Sequence, residues 1–345
     1  MPRYRLFAIS TLLLSVLTIT FAQEKKDPPV DPKTPPEKKE PVPAPAGPSL
    51  TWKFTKDVPI FQELTTTTEQ NITVQGLNVG QNQSQTFWFK FHPLKQEAEK
   101  WTVKQSIEGL KMKIEIAGSP INYDSTNEGG ATGASNALNE FFKGLKGSEF
   151  TLTINKDFAV EKIEGREELI KKLSTANKTL EPLLNRILGE ESMKQMADPT
   201  FGIVPKEAKK VGESWERKVL LELGPLGSYD NTYKYTYEKQ DGDIASIKVD
   251  VNLAYKAPPA TEQGSELPFK IKDAKLPANS AATNGGVIKF NTKTGMIETA
   301  EVTVNLAGTL TLEISGSNTV VELKQKQTTT IKNSPNSLMP APAKK

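Results

Sequence analysis

From residue 50 onward, apolar and polar residues alternate with period two over most of the chain, often with β-branched or aromatic residues at the apolar positions. That texture predicts half-buried strands. Clear cases are TFWFKF at 86–91, KMKIEI at 111–116, FTLTI at 150–154 and KVLLEL at 218–223. TYKYTY at 232–237, IKVDVNL at 247–253, VTVNL at 302–306 and TVVEL at 319–323 continue the series. Lysine, glutamate or threonine at every second position gives each strand one wet face, the mark of antiparallel sheet. The threonine runs 65–68 and 328–330 fit strands with a polar face, given Leu64, Ile72 and Ile331 nearby.

The period changes in the middle of the chain. Leu138, Phe141, Phe142 and Leu145 share one helical face that ends at Gly147. A second helical region spans 166–197, with Leu169, Ile170 and Leu173 on one face and Leu180, Leu183, Leu184, Ile187 and Leu188 on the next. Pro182 suits the first turn of a new helix, so a break is expected near 176–179. Met193 and Met196 extend the apolar face before Asp198 and Pro199 end it. The expected fold is mainly β (α+β): curved antiparallel sheets in two similar halves with a short helical segment between them.

The suggestion of two halves comes from an internal echo. GSEFTLTINKDFAVE at 147–161 and GGVIKFNTKTGMIE at 285–298 each read as glycine, alternating strand, an Asn-led turn and a second strand. The alternative is that hairpins in any β-rich chain look alike. Glycine-rich 126–133 and the stretch 257–286 read as loops, the latter as a lid or a disordered segment. The resulting segments are 50–165 for the first half, 166–204 for the helical connector and 205–332 for the second half.

Both termini differ in kind. Arg3 and Arg5, an apolar run from 6 to 19, and Thr20-Phe21-Ala22 with small residues at the two positions a signal peptidase reads form the order of a secretory signal, with cleavage expected after Ala22. The run is short and interrupted for a membrane span. No later stretch is apolar enough, so no transmembrane segment is expected after cleavage. Residues 23–49 alternate proline and charge and read as a disordered spacer, as does the tail 333–345. The predicted location is therefore extracytoplasmic, periplasmic or secreted. The chain's net charge is +3, and loss of Arg3 and Arg5 leaves +1 on side chains, a balance that argues against nucleic acid as partner.

The residue inventory also restricts chemistry. With no cysteine, the chain has no lipidation cysteine, disulfide or thiolate chemistry. Its one histidine, His92, precedes Pro93 at a strand end and has no companion motif. Zinc and haem would lack their usual further ligands, so neither a metal nor another cofactor is expected. Glu167–Glu168 and Glu190–Glu191 are the densest acidic pairs past the spacer, and helix-end placement explains them. Asp241-Gly242-Asp243 reads as a hairpin turn.

FTLTIN at 150–155 with Val160, Ile163 and Gly165, and the segment 205–215 ending in VGESW, carry a resemblance. On these residues the chain resembles a family of uncharacterised secreted bacterial proteins with two β-rich halves around a helical middle. More loosely, its architecture is similar to half-barrel lipoprotein carriers and lipid-binding proteins of bacterial envelopes. The family brings no activity with it, and fold alone implies none. Read physically, Gly212 permits a turn and Trp215 anchors the next strand in the core.

Many half-buried strands without a catalytic constellation point to an exported, non-enzymatic binding protein with no catalytic residues. Its expected cargo is a lipid or other apolar small molecule, held on the helical face of Leu169, Leu173, Leu184, Leu188, Met193 and Met196. The alternative is an envelope or surface module that docks a protein partner and has no ligand cavity. A third reading, a carboxylate-dependent hydrolase, requires two acids about 5 to 9.5 Å apart across a cleft.

Overall fold

The computed structural model describes residues 49–341 apart from 117–118, 128–135, 176–177, 179–180, 191–192, 195–199, 223–226, 260–268, 277–283 and 315. The expected signal and nearly all of the spacer lie outside the described residues. No helix among the described residues is long and apolar enough to cross a membrane.

The alternating segments form strands, several longer than their sequence cores. The first half contains β1 (Ile60–Val74), β2 (Leu77–Glu97), β3 (Lys100–Ile116), β4 (Ser119–Asp124), β5 (Glu149–Ile154) and β6 (Val160–Glu164). The second half contains β7 (Ser214–Glu222), β8 (Ser228–Asp241), β9 (Ile244–Lys256), β10 (Lys270–Lys275), β11 (Gly285–Asn291), β12 (Met296–Ile314) and β13 (Ser317–Ser334). Three helices are described: α1 (Asn136–Leu145), α2 (Arg166–Ser174) and α3 (Glu181–Ile187). Pro182 occupies the first turn of α3, as its missing N–H allows.

All strands join one 13-stranded sheet with the path β6-β5-β3-β2-β1-β13-β12-β11-β9-β8-β7, while β4 pairs with β3 and β10 with β12. Every pairing is antiparallel. The path ends at β6 and β7, so the sheet is open. Its order repeats: β1-β2-β3-β5-β6 in the first half has the same adjacency as β7-β8-β9-β11-β12 in the second. In both halves the last hairpin turns on an asparagine. Asn155 Oδ1 accepts from the N–H groups of Asp157 and Ala159 while its amide donates to Glu161. Asn291 Oδ1 accepts from Lys293 and Thr294 while its amide donates to Glu298. β13, the last strand of the second half, falls outside that repeat and joins the two halves, pairing with β1 on one side and β12 on the other.

One large apolar cluster serves both halves. It runs from Val160 and Ile163 in β6 through Val103, Leu110 and Leu152 to Ile247, Val249 and the β8 tyrosines 233, 235 and 237. The segment Leu50–Asp57 crosses the lower end of the sheet as a strap. Lys53 N–H donates to Gly295 O at 3.1 Å in the β11–β12 turn, and Asp57 N–H to Pro93 O at 2.9 Å in β2. Between those ties Trp52 and Phe54 meet aromatic rings from both halves, Phe290 on one side and Trp101 and Phe158 on the other. Residues 201–204, which follow the helices, are buried. Trp52 Nε1 donates to Phe201 O at 2.8 Å and Trp215 Nε1 to Ile203 O at 3.0 Å. The connector is thus pinned by one tryptophan from each half.

Two sequence expectations need correction. The 257–286 segment contains β10, which pairs with β12 over Lys270–Glu313 to Lys275–Thr309; only 260–268 and 277–283 within it lie outside the described residues. Six residues with only two apolar ones, Ile271 and Ala274, are too short to read as a strand without their partner. The C-terminal boundary also moves. β13 continues to Ser334, Asn333 Nδ2 donates to Ile297 O at 2.9 Å, and Met339 lies against Gly109, so the tail is described as far as 341.

Gly165 joins β6 to α2 with φ +101, and a Cβ there would stand 2.5 Å from Glu149 O. Gly165→Ala is expected to cost about 1–3 kcal/mol from left-handed strain and overpacking. A chemical denaturation midpoint measures it directly.

Candidate functional site

Register and parity define the inner face of the sheet as the one carrying Ile60 and Leu64 of β1. Following that face up the central strands, the rung Leu64, Phe87 and Ile331 is apolar and buried. The next rung holds Thr66, Gln85 and Thr329, then Thr68, Gln83 and Gln327, then Gln70, Gln81 and Gln325. All of these except Gln325 belong to the buried polar residues of the chain, at 1–6% exposure, which is unusual for glutamine. Met112 and Ile114 of β3 flank this belt on one side, and Val302, Val304 and Leu306 of β12 on the other.

Part of the belt is internally bonded. Gln70 donates to Gln325 at 3.4 Å and Gln83 to Gln85 at 3.3 Å, and the Thr66 and Thr329 hydroxyls lie 3.4 Å apart. Thr68 Oγ1, Gln81 Nε2 and Gln83 Oε1 are buried without a hydrogen-bond partner. Such groups cost about 1–3 kcal/mol each relative to satisfied ones.

Above the belt the inner face is apolar again. Leu276, Leu306 and Leu323 form a second cluster, with Ile72, Leu310, Tyr229 and Tyr255 packed against it. Toward the β1–β2 and β12–β13 turns follow Val74, Val79, Leu312 and Ile314, all only half-buried, and Leu77, which is 72% exposed. The long central strands therefore carry an incompletely covered apolar surface at their upper end. On β8 the same order recurs: Tyr229 packs in the upper cluster, Tyr233, Tyr235 and Tyr237 in the lower, and buried Asn231 lies between them.

The facing tyrosines are desolvated. Burial pushes the Tyr229 and Tyr235 phenols up to about 12. Tyr233 and Tyr255 are raised further, by burial first and then by a neighbouring tyrosine. An unfolded chain releases these protons near about 10, so between those values the native state holds more protons. Their contribution to stability is complete below about pH 10 and is lost as pH rises through about 12, worth about 2–3 kcal/mol for Tyr235 alone. Tyrosinate absorbance followed alongside circular dichroism should show these phenols ionising only with unfolding.

The helical face read from the sequence has a different setting. Leu169, Leu173, Leu184 and Met193 are at most 7% exposed inside the large cluster, and Leu188 packs against it. Met196 lies outside the described residues. The structure therefore brings five of the six together as packing between helices and sheet. α2 and α3 are further tied by Arg166, whose guanidinium donates to Asn185 O at 3.0 Å, to Asn185 Oδ1 at 3.1 Å and to Leu188 O.

The remaining candidates sit apart from one another. His92 Nε2 lies 3.6 Å from Asp57 of the strap. Glu167 and Glu168 occupy the first turn of α2, and Glu190 pairs with Lys194 at 3.0 Å. Among the described residues no group of three acidic or histidine side chains is placed to hold a metal ion. Sequence reasoning missed both the belt and the upper apolar surface; for the latter, the alternation through TVQGLNV at 73–79 was the available signal.

A model of the DUF6263 family, a family of unknown function, matches residues 98–297, more than half of the chain. No curated protein matches in sequence. Among solved structures, the chain is similar to lipovitellin, from a structure of its lipid–protein interactions, at 12% identity and a TM-score of 0.39, covering 84% of this chain and 27% of that one. It spans about a quarter of that chain's length. Similarity to DynF of the dynemicin biosynthesis pathway of Micromonospora chersina has 9% identity, a TM-score of 0.19 and coverage of 89% and 94%. For OpdL of Pseudomonas aeruginosa the values are 7%, 0.20, and 80% and 98%. Scores this low carry no argument about fold or ligand.

Proposed function

We propose that this chain, which belongs to the DUF6263 family, is an exported, non-enzymatic binding protein that takes a lipid or similar apolar molecule on the inner face of its sheet. The observation that carries this reading is the upper apolar surface of β1, β2 and β12. Ile72, Val74, Val79, Leu310 and Leu312 are half-buried and Leu77 is 72% exposed, on the face that elsewhere forms the core. Contiguous apolar surface left incompletely covered marks an interaction site. Export is supported by Arg3, Arg5 and the apolar run that follows them.

Native mass spectrometry after mild purification from an expressing bacterium tests the reading. The expected spectrum contains a protein ion with a co-purifying lipid that dissociates on activation. Only unliganded protein, together with a solvatochromic probe that stays dark on titration, would refute it and favour a protein-docking module.

A further inference from the structure

We infer that the glutamine–threonine belt recognises a neutral hydrogen-bonding group on the ligand, a hydroxyl, ester or amide, rather than a charged head. The inference rests on the proposed binding of an apolar molecule and specifies its polar end. Thr68 and Gln83 are opposite each other on β1 and β2, and Gln81 occupies the next rung. These three residues are only 3–4% exposed, and Thr68 Oγ1, Gln81 Nε2 and Gln83 Oε1 lack partners. Thr68 and Gln83, directly opposed, have Cβ atoms about 5 Å apart, and Gln81 stands diagonal to Thr68 at about 7 Å, so an acceptor, a donor and a hydroxyl lie on two adjacent rungs of the same face.

The chemistry of the surroundings selects the kind of group. Inner-face neighbours of these rungs are Met112 and Ile114 on β3 and Val304 and Leu306 on β12, with no charged side chain among them. A carboxylate, phosphate or ammonium would be desolvated there without a counter-charge, a cost that neutral amides and hydroxyls cannot offset. An uncharged hydroxyl or ester instead supplies both a donor or acceptor and a neutral apolar body. From Thr68 to Val74 the strand climbs about 20 Å, past Ile72 and toward the exposed Leu77, giving an extended acyl chain a path to the open end. The ligand's polar end thus sits deepest and its chain lies along the upper apolar surface.

The test is displacement of bound Nile red from the full-length mature protein by monooleoylglycerol and by oleate, at a pH where oleate is ionised. Monooleoylglycerol should displace the probe at about tenfold lower concentration or less, and Gln81→Leu/Gln83→Leu/Thr68→Val should shrink that preference below about twofold while raising the melting temperature. Equal displacement in the wild-type protein, or an unchanged preference in the variant, overturns the belt assignment while Nile red binding leaves the wider reading standing. Failure of Nile red to bind overturns both. Should the triple variant not fold, Thr68→Val alone carries the comparison, because it deletes one hydroxyl at nearly constant shape.

Discussion

Trp52→Ala is expected to destabilise the protein by about 3–5 kcal/mol, the range for removing a large buried aromatic side chain. Trp52 is 4% exposed, and its ring lies 5.5 Å from Phe201, 6.0 Å from Phe290 and 6.2 Å from Phe54. Those partners belong to the connector after the helices, to the second half and to the strap itself, so one truncation loosens three segments. It also removes the indole donor to Phe201 O. Trp52→Phe keeps most of the packing and forfeits chiefly that hydrogen bond, worth about 1 kcal/mol. Urea unfolding separates the two, because a typical domain holds only about 5–15 kcal/mol in total. A loss below about 1 kcal/mol for the alanine variant would mean that the strap does not hold the lower end together.

Leu310→Asp is expected to weaken binding of an apolar probe at least about tenfold, since a carboxylate must be desolvated wherever the ligand covers it. Val320→Asp should leave binding unchanged. The contrast is informative because the two positions belong to one hairpin and opposite faces: Leu310 pairs with Val321 on the inner face, and Val320 pairs with Thr311 on the outer. Val320 is 58% exposed, so its substitution should alter stability by no more than about 0.5 kcal/mol. Leu77→Asp repeats the inner-face test at a position 72% exposed, where folding is spared. Fluorescence titration of the three variants, each checked by thermal unfolding, reads the outcome. Equal binding by Leu310→Asp and Val320→Asp would remove the inner face from consideration.

Much of this fold is legible without coordinates. Seven of the eight alternating segments fall wholly within strands, and KVLLEL at 218–223 does so as far as Glu222, with Leu223 outside the described residues; Pro182 opens a helix as its geometry demands, and Asn155 and Asn291 play the same turn role in the two halves. Those features are local, and local sequence carries them. The pairing of β1 with β13 is not local: Thr66 meets Thr329 across most of the chain, and neither strand bears a mark of its partner. Nor does the pairing of Lys270–Lys275 with β12 show in so short and charged a segment.

The candidate site was legible only in part. An apolar helical stripe has the same period whether it faces a core or a ligand, and only the surrounding sheet assigns Leu169, Leu173 and Met193 to packing. The belt was hidden for the opposite reason. In TTTTEQ at 65–70 both faces of the strand are polar, so alternation gives no clue that Thr66, Thr68 and Gln70 face inward. Their inward direction follows from Ile60 and Leu64 earlier on the same strand, once its length is known.

Photo-crosslinking of the mature protein with a diazirine-bearing acyl lipid, followed by peptide mapping, tests the central claim most directly. Labels are predicted on the inner-face positions of Ile72–Val79 and Leu306–Ile314. Labels confined to outer-face positions such as Val320 and Lys324, or no label above that on denatured protein, would contradict it.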